Sequence, residues 1–183
     1  MQVYIAICNA QEDYIVAKKR EFNSLWDRKI SLAGPSLVNQ AGQWTLPGGK
    51  VEKEDSDFVT AAMREFAEET GQKIPDSTEA QVVLQNKYYA LVRCMVPVAV
   101  ELMHKADAAI KPLSSEKPNM PKSLLVEDWE LQDLTMVPKR LLSSVLGVRT
   151  TVSAEAFEAI KTAKPYSQEI DWYADMAKAL MSR

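Results

Sequence analysis

Residues 44–71 read WTLPGGKVEKEDSDFVTAAMREFAEETG, and two elements can be read from them. The second half is a helix by local signs. Asp55 or Ser56 offers an N-cap, Asp57 adds negative charge to the first turn, and Gly71 can take the left-handed conformation that ends a helix. At about 100° per residue, Val59, Ala62, Met63 and Phe66 fall on one side, predicted to face a core. Glu65, Glu68 and Glu69 fall together on the adjacent arc. Like charges this close repel by roughly 0.2–0.5 kcal/mol per pair. Solvent alone can absorb that cost, whereas a divalent cation would turn the repulsion into coordination. Just before the helix, Leu46-Pro47-Gly48-Gly49 suits a tight turn, and its glycines let backbone approach a ligand closely. Either feature alone reads as ordinary structure, a solvated face or a strand-to-loop turn. Their adjacency is what points to chemistry.

Outward from this stretch, short β-rich runs alternate with turns. Residues 3–7 and 14–17 read as strands joined by a turn at 11–13, the second ending in Lys18-Lys19-Arg20. Residues 21–42 form a long connection containing Trp26, and residues 43–46 a short strand. Beyond the helix, residues 80–85 and 88–100 read as strands, with Pro97 weakening the second. Residues 102–110 fit a short helix, 111–123 a proline-rich loop, and 124–131 a further strand. Pro138 opens a short helix that Gly147 closes. Two Ala-rich helices, near 153–163 and 168–182, complete the chain.

The 183 residues, 46% apolar and 26% charged, fit one globular domain with its own core. A net charge of −3 gives no basis for bulk nucleic-acid binding, so an anionic ligand must be met by particular cations or a metal. Residues 1–8 are too few to span a bilayer and follow no basic segment, so neither a membrane span nor a signal peptide is expected. Cys8 and Cys94 sit in apolar runs and read as buried, reduced thiols, which favours a cytoplasmic setting. His104, the only histidine, reads as a surface or loop residue.

The central stretch resembles the signature of the Nudix hydrolases: Gly, five residues, Glu, seven residues, then Arg-Glu-apolar-any-Glu-Glu-any-Gly-apolar. This chain supplies Gly49 and then Arg64-Glu65-Phe66-Ala67-Glu68-Glu69-Thr70-Gly71, preceded by Leu46-Pro47-Gly48. It departs twice. Asp55 stands for the first Glu, with one extra residue before Arg64 that fits best in the loop at 53–57, and Gln72 replaces the last apolar position, where Ile74 can substitute.

The resemblance implies the α/β class, as a Nudix-like α/β/α sandwich with a mixed β-sheet and extra C-terminal helices. Residues 1–183 would form one domain, with 148–183 a helical extension packed on it. The implied activity is metal-dependent hydrolysis of a pyrophosphate bond in a nucleoside diphosphate linked to another moiety. Glu65, Glu68 and Glu69, with the Gly48 carbonyl, are implied ligands of Mg²⁺ or Mn²⁺, and Arg64 orients Glu65 or braces the loop, where Asp55 can pair with it. Glu65 is one candidate base, and Glu127 and Glu130 are alternatives that read equally well as exterior strand charges. For a small nucleotide-like substrate, Arg20 is a candidate phosphate contact, Gly49 a backbone contact, and Tyr88, Tyr89 and Trp26 candidate stacking partners. A tyrosine at the distance of Tyr88 or Tyr89 past the signature is similar to the arrangement in dinucleoside-polyphosphate hydrolases, although strand aromatics are more often core. A homodimer is compatible with the long connections and the tail. The competing expectation is a non-catalytic Nudix-like module that senses a nucleotide or binds a protein, disfavoured because all three carboxylates are kept.

Overall fold

Strand β1 (Gln2–Cys8) is buried from Val3 to Cys8, the pattern of a central strand covered on both faces. The computed structural model describes residues 1–23, 36–75, 78–111, 130–162 and 172–182. A hairpin leads to β2 (Asp13–Lys19), and Asn9 builds its turn, Oδ1 accepting from the amides of Gln11 at 3.0 Å and Asp13 at 2.9 Å. Strands β3 (Phe22–Asn23) and β4 (Ser36–Leu37) pair only with each other. Then come β5 (Trp44–Thr45), β6 (Gly48–Lys50), α1 (Phe58–Thr70), β7 (Glu79–Gln85), β8 (Tyr89–Met95) and α2 (Ala99–Ile110). The chain continues with β9 (Leu131–Pro138), a 3₁₀ turn, α3 (Leu142–Val145), α4 (Ala154–Thr162) and α5 (Trp172–Met181).

The sheet is mixed. β1 runs parallel to β8, while β7–β8, β2–β9 and β1–β2 are antiparallel. β1 and β2 meet at Cys8 and Tyr14 and then part. Into the gap comes the segment at 44–50: β6 takes the edge of β1 at Gln2–Tyr4, and β5 takes the edge of β2 at Ala17–Lys18. That wedge sets the glycine turn against the sheet.

One face of the sheet, carrying Val3, Ile5, Ile7, Ala90 and Val92, packs on α1 and α2 through Ala62, Phe66, Leu102 and Ala106. The other, carrying Tyr4, Ala6, Cys8 and Leu91, packs on α3 and α5 through Leu142, Met176 and Leu180. The result is an α/β/α sandwich with C-terminal helices on its second face. Ile74 is buried in the first core, while the polar Gln72 is half-buried. No helix among the described residues is long and apolar enough to cross a membrane.

Two expectations are corrected, the strand over 88–100 and the cap of α1. The strand expected over 88–100 ends at Met95, and α2 follows. Ala99, Leu102, Met103, Ala106 and Ile110 are buried at helical spacing, whereas Val98 and Val100, whose β-branching suggested a strand, are exposed. The strand expected over 124–131 lies mostly outside the described residues, and the described strand begins at Leu131, where the expected one ends. Its sequence, LQDLTMVP, shows no clean alternation, and pairing along β2 makes it a strand. Helix α1 is capped by Asp57, whose Oδ1 accepts from Thr60 N at 2.7 Å, because Asp55 is engaged elsewhere. His104 is exposed on α2.

Cys8 and Cys94 are free and buried in different layers, one on each side of the sheet. Burial pushes the Cys94 thiol up to about 11 and raises that of Cys8 as well. Since the thiolate is the reactive form, both thiols should stay silent toward an aromatic disulfide reagent in the native protein. Two equivalents should appear on denaturation. Rapid native labelling of either cysteine contradicts this layering.

Candidate active site

The turn at 47–49 is held by backbone on one side and by α1 on the other. Ile5 N donates to Pro47 O at 2.9 Å, and Gly48 N donates to Glu69 Oε2 at 2.9 Å. A Cβ on Gly48 would lie 2.2 Å from Val3 O, and one on Gly49 would lie 2.2 Å from Glu65 Oε2. Both glycines are therefore steric requirements, one toward the sheet and one toward the acidic helix. Gly71, at φ 67°, closes α1 with its N–H on Ala67 O at 2.7 Å.

Arg64 organises the acids. Its Nε donates to Asp55 Oδ1 at 3.0 Å and its Nη2 to Asp55 Oδ2 at 2.9 Å, a two-pronged pairing. Nη1 donates to Glu65 Oε1 at 3.0 Å and Glu68 Oε2 at 2.9 Å, and Nη2 also reaches Lys50 O at 2.9 Å. The hydrogen bonds that Arg64 donates to Asp55 raise the Arg64 pKa, and in return Arg64 holds the Asp55 carboxyl below the usual carboxylate range. Asp55 also accepts from Glu52 N at 2.8 Å, tightening the loop that carries the extra residue. Glu65 and Glu69 are buried, at 7% and 2% exposure, while Glu68 is half-buried.

These groups line a cavity of about 590 Å³. Five carboxylates (Glu52, Glu65, Glu68, Glu69, Glu130) and three cations (Lys19, Lys50, Arg64) face it, so its wall is net negative. Lys19 pairs with Glu130. Burial alone would lower the Lys19 pKa, but Glu130, aided by Tyr173 and Glu69, more than offsets this and raises it. Tyr4, also on the wall, has its phenol pushed up by burial.

Among the described residues, no three His, Cys, Asp or Glu side chains stand together as a ready metal cage. The reason is visible: Arg64 Nη1 lies between Glu65 and Glu68, and Glu69 turns one oxygen to Gly48 N. The donor chemistry nonetheless fits a hard divalent ion, since all the donors are oxygens and a bare glycine leaves the space over Glu65 Oε2 that a Cβ would fill.

The structure brings together Gly48, Gly49, Arg64, Glu65, Glu68, Glu69 and Glu130. Glu127 lies outside the described residues, as does Trp26. Arg20 is not on the cavity wall; it is buried and donates from Nη2 to Ile110 O at 3.0 Å, and burial lowers its pKa to about 10 against the effect of Asp133. A register shift between Lys18 and Lys19 re-aims the end of β2, so the neighbouring Lys19 faces the cavity instead. Tyr88 and Tyr89 do not line the cavity either; both pack on Trp172, which does. Sequence reading missed Lys19, Tyr4 and Trp172. The basic cluster at 18–20 was a signal for the first, and nothing local marked the other two.

A mixed sheet between helical layers, with a glycine turn folded onto an acidic helix, defines the class of Nudix-fold hydrolases. The chain belongs to the Nudix family: the NUDIX domain model matches residues 2–134, which makes it a pyrophosphohydrolase of that type, acting on acid anhydrides. Among solved structures it is similar to a MutT NUDIX hydrolase from Burkholderia pseudomallei (15% identity, 89% of this chain and 96% of that one, TM-score 0.40). It is also similar to a NUDIX hydrolase from Nitrosomonas europaea (13%, 87% and 84%, TM-score 0.38) and to the MutT protein of Methanosarcina mazei Go1 (18%, 87% and 91%, TM-score 0.37). Family membership rests on the domain match. No curated protein matches the chain.

Asp55→Asn tests the Arg64 hub. A carboxylate with a depressed folded-state pKa stabilises above its unfolded value, near 3.9, and that stabilisation is lost as pH falls through the folded value. The variant should be less stable than the wild type by roughly 1–3 kcal/mol at neutral pH in urea titrations. The difference should shrink as pH falls below about 4. A difference independent of pH would place the cause outside the ion pair.

Proposed function

We propose that this chain hydrolyses a pyrophosphate bond within a nucleoside diphosphate linked to another moiety, with Mg²⁺ or Mn²⁺ held by Glu65, Glu68 and Glu69 beside the Gly48 carbonyl. The observation that carries this reading is the charge of the cavity. Five carboxylates against three cations would repel a diphosphate, and Lys19 and Arg64 are already countered by acids. A divalent cation cancels that excess and offers the phosphate oxygens a positive partner. When bound, such an ion neutralises phosphate oxygens and acidifies water.

The chain's own groups supply the rest. Arg64 orients Glu65 and Glu68, and Asp55 with the Lys50 carbonyl fixes Arg64 in turn. The Gly48 amide holds Glu69 against the turn. A carboxylate must accept the proton of the attacking water. Glu65, buried between Arg64 and Gly49, is the first candidate, and Glu130, on the same cavity wall beside Lys19, is the second. Two buried thiols suit a reducing compartment such as the cytoplasm.

Glu68→Gln and Glu69→Gln keep the side-chain shape and an acceptor oxygen, so both variants should fold. Hydrolysis across nucleoside triphosphates, dinucleoside polyphosphates, nucleotide sugars and ADP-ribose, with products identified by mass spectrometry, should fall by on the order of 10²–10³-fold. Mn²⁺ should raise the melting temperature of the wild type and do so less for either variant. Full turnover by both variants removes these residues from the mechanism.

A further inference from the structure

Helix α5 lies beyond residue 134, where the family match ends, yet its first residue, Trp172, lines the same cavity as Glu65, Glu68 and Glu69. No step of the proposed hydrolysis uses it. The ring is fixed from several sides: Tyr88 is stacked against it at 6.3 Å and 25°, Tyr89 lies at 5.0 Å, and Tyr4 meets it edge-on at 6.4 Å and 73°. The start of the helix is pinned as well. The hydroxyl of Tyr173 donates to Gln40 Oε1 and lies 2.9 Å from Thr45 Oγ1. Its ring packs so closely on Gly147 that a Cβ there would come within 3.1 Å of Cδ2. Met176, Ala177 and Leu180 are buried behind it.

Trp172 packs against the core of the second face, yet it is less covered than its neighbours Tyr89 and Tyr173, which are 0% and 8% exposed. Trp172 is only half-buried, and it stands on a cavity wall. At about 590 Å³ the cavity exceeds what a pyrophosphate group needs and falls within the range of sites for larger small molecules. Tyr4 adds a second aromatic side chain to this wall, and the carboxamides of Gln2 and Asn39 supply donors and acceptors beside it.

We infer that Trp172 is a specificity-determining residue that stacks on the base of a nucleoside diphosphate derivative, so that α5, an element outside the matched domain, selects the substrate. Tyr88 and Tyr89 support the indole from behind the cavity wall. The inference rests on the proposed function for the placement of the diphosphate at the carboxylates.

The test uses the whole 183-residue chain and equilibrium binding of ADP and of inorganic pyrophosphate in Mg²⁺ buffer by calorimetry. Trp172→Leu fills much of the space without a π face, and Trp172→Phe keeps one; melting curves confirm that both fold. Stacking of one base on an aromatic side chain corresponds to roughly 5–150-fold in affinity. Trp172→Leu should weaken ADP binding by a factor in that range and leave pyrophosphate binding unchanged, and Trp172→Phe should recover most of the loss. On any hydrolysed nucleotide, KM should rise in Trp172→Leu while kcat holds. Equal ADP binding by wild type and Trp172→Leu, or equal loss for both ligands, overturns the inference and leaves the proposed hydrolysis standing. Selective loss of ADP binding in a protein that hydrolyses none of the panel sustains the stacking role and overturns the catalysis. Failure of the wild type to bind either ligand overturns both.

Discussion

The guanidinium of Arg64 spends all five of its N–H groups on the loop and helix of the site: two on Asp55, one each on Glu65 and Glu68, and one on the Lys50 carbonyl. Burying carboxylates such as Glu65 is costly unless they are paired and hydrogen-bonded. Here one planar cation meets the need for two helix acids while tying the loop to the helix that bears them. A lysine could not do this, since its ammonium offers three donors from a single point. The Asp for Glu change at residue 55 and the lengthened loop fit the same arrangement. In the lengthened loop the shorter carboxylate of Asp55 accepts from Arg64 in two-pronged contact, and Glu52 N closes the turn on it.

The hub depends on the sheet for its position. Because β1 and β2 part after Cys8 and Tyr14, the segment at 44–50 can pair with each of them in turn. It then passes α1 at a distance only glycine permits. Side chains at 48 and 49 would strike the Val3 carbonyl and the Glu65 carboxylate, respectively. Sheet geometry, glycine content and acid placement are thus one constraint, not three. The irregular register at Lys18 and Lys19 belongs to it, since it turns Lys19 toward Glu130 and sends Arg20 to the end of α2.

This explains which parts of the molecule could be read from the chain. Helix α1, its glycine stop and its acidic face were legible because each signal lies within a few residues of its effect. The central strands were legible because burial on both faces leaves nearly continuous apolar runs. Helix α2 was legible from residue 102 onward, its first turn being obscured by exposed valines at 98 and 100, and β9 was obscured by an irregular pattern that only its pairing with β2 resolves. Arg20 was read as the phosphate contact, but the register shift between Lys18 and Lys19 is invisible in the sequence, and it is Lys19 that lines the cavity. Trp172 gave no local sign at all. Its place on one cavity wall with Glu65, Glu68 and Glu69 follows from how α5 packs, about a hundred positions away in sequence.

That shared lining gives the cavity two kinds of wall with different physical tasks. The signature residues present charge that needs an opposite charge before a phosphate can enter, so they favour any diphosphate equally once a cation is bound. The aromatic residues present polarisable surface that is indifferent to the diphosphate and sensitive to what is attached to it. Charge is carried by the segment the family shares, and selection by a helix beyond the match. In such a division the chemistry stays fixed while the attached group is chosen elsewhere, because a change at Trp172 leaves every hydrogen bond of Arg64 in place.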